Sequence, residues 1–244
     1  MDFLDFKNKC CHIFALNHNL GVPTDEQTEK LFALTERMLK VNESMNLTAI
    51  TDIDGVILKH YADSLTISEY IPEGASLIDI GCGAGFPTLP LAIFRPDVKI
   101  TALDGTAKRI EYVKSTAQML ELGNVNAIAG RAEEYASKPE YRERFDIVTA
   151  RAVAALPVLS ELCLPFAKKN GLFIAMKASQ GENEAAAAAN AIKICGGAEA
   201  ITEKISLVGS DGNTEPRVIV KIKKTVNTPS KYPRHYSQIS KKPL

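Results

Sequence analysis

The chain has no Cys-x-x-Cys pair, no long unbroken apolar run and no excess of charge of either sign. Its five cysteines (Cys10, Cys11, Cys82, Cys163, Cys195) are odd in number and scattered, which disfavours both a disulfide framework and a structural zinc site. Cys10 and Cys11 beside His12 read as inert thiols on a helix, and no metal is expected. A membrane-crossing helix needs about 18 consecutive apolar residues, which the sequence never supplies. Asp2 and Asp5 stand where a secretory signal would carry positive charge, so a cytoplasmic protein is expected.

What is present is ordinary for a globular protein. The 244 residues are 45% apolar and 24% charged, enough for one large α/β domain plus a flanking element of roughly 60 to 70 residues. The zero net charge conceals an asymmetry. From Arg217 onward there are eight Lys or Arg and no Asp or Glu, leaving 21 cations and 29 anions before it. This basic segment suits a polyanion, and Lys221, Lys223, Lys224, Lys231 and Arg234 are candidate RNA phosphate contacts. A solvated tail kept soluble by its lysines accounts for the composition equally well.

Thr24 with Gln27 forms a capping-box pattern, and Leu31, Leu34, Met38 and Val41 follow at helical spacing, predicting a helix from Asp25 to Asn42. A shorter helix precedes it, separated by Gly21 and Pro23, and another is expected from Ile53 to Tyr70. Residues 1–70 thus read as a helical cap, 71–224 as the main domain and 225–244 as a basic tail packed on it. After Pro72 and Gly74 short apolar runs alternate with helical stretches, the mark of a parallel sheet covered on both faces. Strands are expected at Ser76 to Ile80, Lys99 to Leu103, Val125 to Ala129, Phe145 to Thr149 and Gly171 to Met176, with a helix from Ala107 to Leu122. Ile201 to Val208 and Arg217 to Ile222 form a hairpin across Asp211-Gly212. Five parallel strands ending in a hairpin are the strand inventory of the class I methyltransferase fold: α/β, Rossmann-like, mostly parallel with an antiparallel last strand, here with an N-terminal helical extension.

The first strand runs into Asp79-Ile80-Gly81-Cys82-Gly83-Ala84-Gly85-Phe86, a glycine-rich turn at the end of a sheet strand where open α/β folds bind ligands. Asp104 ends the second strand, 23 residues beyond Gly81, where a carboxylate can accept both hydroxyl hydrogens of a ribose. Phe86 stands where a dinucleotide fingerprint needs glycine or alanine, favouring S-adenosylmethionine over NAD. No Gly-Lys-Ser/Thr follows, which excludes a nucleoside-triphosphate loop. Gly130-Arg131-Ala132-Glu133, after the third strand, suits an adenine edge, although Glu133 also fits the first turn of a helix on dipole grounds alone. Arg151 ends the fourth strand. A buried guanidinium without an anionic partner is costly, which favours a functional role there.

Several separate motifs, in order, make the chain resemble the RsmG (GidB) family of 16S ribosomal RNA guanine-N7 methyltransferases. They are Asn46-Leu47-Thr48-Ala49-Ile50, His60 with Asp63-Ser64-Leu65, Asp79 to Phe86-Pro87, Leu103-Asp104 with Lys108-Arg109, Asn124-Val125, Arg131-Ala132-Glu133, Arg151-Ala152-Val153 and Tyr232-Pro233-Arg234. The resemblance implies that Gly81, Phe86, Ala132, Glu133 and Arg151 line an S-adenosylmethionine site. It also supplies 16S rRNA in the small ribosomal subunit as partner. Gly83 and Asp104 join the cofactor set on the argument above, and Arg151 is the expected catalytic residue, anchoring the cofactor carboxylate or guanine O6. His60 and Asp63 read as a satisfied structural pair. The chain departs from the family at Thr88, at Gly105-Thr106 and at His235-Tyr236-Ser237-Gln238. A dehydrogenase is the rival enzyme class, and a non-catalytic rRNA-binding assembly protein the rival from another class.

Overall fold

The computed structural model describes residues 2–244. Its seven strands are β1 (Ser76–Ile80), β2 (Lys99–Asp104), β3 (Val125–Ala129), β4 (Phe145–Arg151), β5 (Ala167–Lys177), β6 (Ile201–Val208) and β7 (Thr214–Lys223). They form one sheet in the order β3-β2-β1-β4-β5-β7-β6, parallel through β5. β7 runs antiparallel to both β5 and β6. Strand order reverses between β1 and β4, so the connections leaving their carboxyl ends diverge and open a crevice there.

Helices cover both faces. α1 (Phe3–Leu16) and α2 (Asp25–Met45) come first, followed by a broken helix. It comprises α3 (Ile53–Val56), a π-helical turn at Ile57–Ala62 and α4 (Asp63–Leu65). Thr24 and Gln27 bond reciprocally as the capping box requires, and α2 continues three residues past its expected end to a left-handed Asn46. α5 (Thr88–Phe94) and α6 (Ala107–Met119) complete that face. Their buried side chains merge with Phe6, Phe14, Leu31, Leu34 and Met38 into one apolar cluster. The other face is packed by α8 (Leu156–Cys163), α9 (Gly181–Ala187), α10 (Ala189–Ile194) and α11 (Tyr236–Lys241), with the short α7 (Ala132–Tyr135) at its edge. Ile78, Val148, Phe173 and Val220 point into this second cluster while Leu77, Ile147, Ile174 and Ile219 point into the first, as the two-residue strand period dictates.

Three of the basic residues expected to meet phosphate are engaged within the protein. Lys224 is fully buried, its ammonium bonded to the carbonyls of Leu164 (2.8 Å) and Cys195 (3.1 Å) and to the Thr228 hydroxyl, with Glu143 at 3.4 Å. Burial lowers its pKa to about 8, partly offset by Glu143. Arg234 forks onto the buried Glu161 (2.9 and 2.6 Å), and Lys221 meets Glu203 at 2.7 Å while lying over the Tyr70 ring. None of the three presents an unengaged charge to a phosphate. Lys223 and Lys231 are exposed.

Candidate functional site

The glycine turn after β1 is built by geometry that side chains would obstruct. Gly81, Gly83 and Gly85 all have positive φ, and a Cβ on Gly81 would lie 2.5 Å from a methyl of Val153. The Gly83 N–H donates to Asp104 Oδ2 (3.0 Å), and the Thr106 N–H to Oδ1 (2.8 Å). Asp104 is thereby aimed inward rather than at solvent, with a second lone pair on each oxygen still available.

A hollow of ≈ 230 Å³ lies over these carboxyl ends, bounded by Gly81, Asp104, Thr106, Ala132, Glu133 and Val153 among others. It brings together four of the residues expected in a cofactor site, Gly81, Asp104, Ala132 and Glu133. Gly83 and Phe86 do not line it: Gly83 holds Asp104 through its N–H, and Phe86 is buried. The Phe86 ring is stacked on His60 (centroids 4.4 Å, planes 7° apart), with the Arg151 guanidinium 5.5 Å from its centre.

Arg151 lines a second hollow, ≈ 430 Å³, with Lys59, Asp63, Lys177, Glu184 and Arg217. Consecutive residues line the two hollows, Arg151 and Ala152 the second and Val153 the first, and Ala152 takes a left-handed φ of 56° that alanine seldom adopts. Arg151 does have an anionic partner: its Nη1 donates to Asp63 Oδ2 (2.8 Å) and to the Lys59 carbonyl (3.0 Å). Asp63 Oδ1 accepts from Arg217 Nε (2.9 Å), so one carboxylate holds two guanidiniums. His60 is not paired with Asp63. Its Nε2 meets the Thr48 hydroxyl at 2.9 Å and its buried Nδ1 has no partner. Burial, then the charge of Arg151, depresses the His60 pKa to about 4, so the ring is neutral at physiological pH.

Sequence reasoning missed this triad because its members are separated by 88 and 154 positions, and no local pattern links them. It also missed the reason for Thr88. The Thr88 hydroxyl donates to Asp79 Oδ2 (2.7 Å), while Asp79 Oδ1 is buried and unpartnered. Burial raises the Asp79 pKa to about 6 despite the Thr88 bond. Among the described residues no cluster of His, Cys, Asp or Glu could hold a metal, and no helix is long and apolar enough to cross a membrane.

Residues 27–208 match the family model described as rRNA small subunit methyltransferase G. A protein of that name from Lactobacillus delbrueckii subsp. bulgaricus is 44% identical over 91% of this chain and 92% of its own length. Another from Alkaliphilus metalliredigens is 44% identical over 90% and 92%. Among solved structures, a putative O-methyltransferase from Klebsiella pneumoniae superposes with a TM-score of 0.53 at 16% identity, covering 88% of this chain and 96% of its own. A Bacillus cereus O-methyltransferase in complex with SAH gives 0.52 at 19%, covering 84% and 94%. At those identities the structural likeness concerns the fold alone.

Proposed function

The chain belongs to the rRNA small subunit methyltransferase G family, and from that membership we propose that it transfers the methyl group of S-adenosylmethionine to N7 of a guanosine in 16S rRNA, within the small ribosomal subunit or an assembly intermediate. The observation that carries this reading is the pair of hollows: one lined by glycine backbone and an inward carboxylate, the other by Arg151, Arg217, Lys59 and Lys177. The first has the chemistry of a nucleoside site, and in the second four cations are paired with only three carboxylates, Asp63 shared by Arg151 and Arg217, Glu184 on Lys177 and Glu215 on Lys59, which leaves a small net positive charge for a nucleotide.

The residues present fit the cofactor. Asp104 offers acceptor lone pairs to a ribose, Ala132 and Glu133 offer a backbone N–H and a carboxylate to adenine, and the open backbone at Gly81 and Gly83 lets a ligand lie close. Bound there, S-adenosylmethionine supplies an electrophilic methyl on a sulfonium. Guanine N7 carries an in-plane lone pair and no proton, so no residue has to act as a base, and a neutral His60 stacked on Phe86 is consistent with that. The work of the chain is placement. Asp63 and the Lys59 carbonyl fix Arg151 through Nη1, which leaves Nε and Nη2 without a protein partner among the described residues. Those donors serve a carboxylate or guanine O6 without occupying the N7 lone pair. N7 lies in the deep groove of paired RNA, so the target guanosine must be unstacked or in a loop to enter.

The test incubates the protein with labelled S-adenosylmethionine and under-methylated small-subunit particles, then locates the modified base by borohydride and aniline cleavage. Label at a guanine cleaved by that treatment is the expected result. Cofactor binding without incorporation into any small-subunit rRNA would overturn the reading in favour of a non-catalytic assembly role.

A further inference from the structure

The C-terminal segment is fastened to the domain at several points and places one residue in the lining of the first hollow. Arg142 donates to the carbonyls of Thr228 (2.8 Å) and Tyr232 (2.9 Å), Arg234 forks onto the buried Glu161, and Ile239 of α11 is fully buried in the second apolar cluster. Between these anchors His235 caps α11, and the next residue, Tyr236, forms part of the wall of the hollow that holds Gly81 and Asp104. The guanidinium of Arg131 lies over the Tyr236 ring, 4.7 Å from its centre, and Arg131 is itself steadied by Glu133 Oε1 at 3.4 Å. The wall beside this pair is apolar, made by Leu103, Ala132 and Leu162, whereas the polar acceptor Asp104 and the glycine backbone belong to the turns after β1 and β2. A ribose satisfied at Asp104 leaves the apolar, aromatic part of the hollow for a planar heterocycle.

We infer that Tyr236, backed by Arg131, is a cofactor-binding residue: the tail closes the nucleobase side of the hollow, and the adenine of S-adenosylmethionine packs against the Tyr236–Arg131 pair. The tail is then a wall of the cofactor site. This inference rests on the first hollow being the S-adenosylmethionine site, and the experiment separates the two.

The chain contains no tryptophan, so Tyr236→Trp installs a single tryptophan at the proposed contact, excited selectively beyond the tyrosine absorption. Calorimetry on the unaltered protein with S-adenosylhomocysteine comes first, since failure to bind there would refute the cofactor reading itself. Given binding, Tyr236→Ala is expected to weaken S-adenosylhomocysteine about 10-fold or more, within the range for losing one aromatic stack on a base, and Tyr236→Phe to stay within about 2-fold. Adenosine alone should show the same loss in Tyr236→Ala, because the contact is to the base and not to the amino-acid moiety. In Tyr236→Trp, S-adenosylhomocysteine should quench the emission with a saturation curve matching the calorimetric Kd. Unchanged affinity in Tyr236→Ala, or no quenching in a Tyr236→Trp protein that binds the ligand, would overturn the inference.

Discussion

Two buried side chains near the crevice respond to pH in opposite senses. Between pH 4 and 6.5 the unfolded chain takes up a proton on His60 that the folded chain refuses, so this group makes stability fall as pH falls. Between pH 3.8 and 6 the folded chain keeps a proton on Asp79 that the unfolded chain releases, so this group makes stability fall as pH rises. The windows overlap from about 4 to 6, where the two slopes largely cancel. His60→Gln should expose the Asp79 slope, losing on the order of 2 kcal/mol as pH rises through the overlap, and Asp79→Asn should show the reverse trend. Urea midpoints measured across that range check both, and parallel profiles for the two variants would sink the idea. Arg151 makes a different prediction at the same scale. Its removal leaves Asp63 paired with Arg217, so Arg151→Ala should still fold. Transfer to rRNA should fall roughly 100-fold if the guanidinium acts on the bound groups, as loss of one positioned donor does elsewhere. Unchanged cofactor affinity and unchanged single-turnover rate would discard that role.

Among the elements, β1, β3 and β6 coincide with their expected ranges because each is a short run bounded by a turn residue or a change of pattern. β5 was harder to delimit. It begins at Ala167, four residues before the expected Gly171, because Lys168, Lys169 and Asn170 carry a polar pattern that hides their place in the strand. The expected single helix from Ile53 to Tyr70 is interrupted by a π-helical turn and ends in a 3-10 turn, and no propensity signals that change of register. The glycine turn and Asp104 were legible because strand ends and motif coincide, whereas the partners of Arg151 depend on how the broken helix meets β4 and β7. The tail shows why composition misled: a lysine count cannot distinguish an exposed Lys223 from a buried Lys224. Lys224→Met should remove the charged donor from the Leu164 and Cys195 carbonyls, which keep the Ala167 N–H and the Thr228 hydroxyl, and leave the Glu143 carboxylate without its cation, at a cost of about 2 to 4 kcal/mol, while Lys223→Ala should change stability by less than about 0.5 kcal/mol. Chemical denaturation of the two variants decides it, and equal stabilities would contradict the buried role.

At the scale of the molecule, the helices before the sheet cannot be a detachable cap if they supply the core of one of its faces. Phe6, Cys10, Ile13 and Phe14 are fully buried, and Phe14 stacks on Phe94 of α5 with centroids 5.8 Å apart. Arg37 of α2 reaches Ser115 and Thr116 of α6 at 2.7 and 2.8 Å. The opposite face is closed in the same way by the tail through Ile239. The sheet is thus the shared floor of two apolar layers, one completed by the amino-terminal helices and one by the carboxyl-terminal segment. Losing either layer would expose strand residues that alternate between them. We therefore propose that residues 1–70, the central sheet and the tail unfold together. Phe14→Ala should cost about 3 to 5 kcal/mol and Ile239→Ala about 2 to 5 kcal/mol. Each should shift one common calorimetric transition, with the van't Hoff and calorimetric enthalpies agreeing. A separate early transition displaced only by Phe14→Ala would mean that the helices fold on their own, and the positions of Arg151 and Asp63, which join the broken helix to β4, would then vary independently of the sheet.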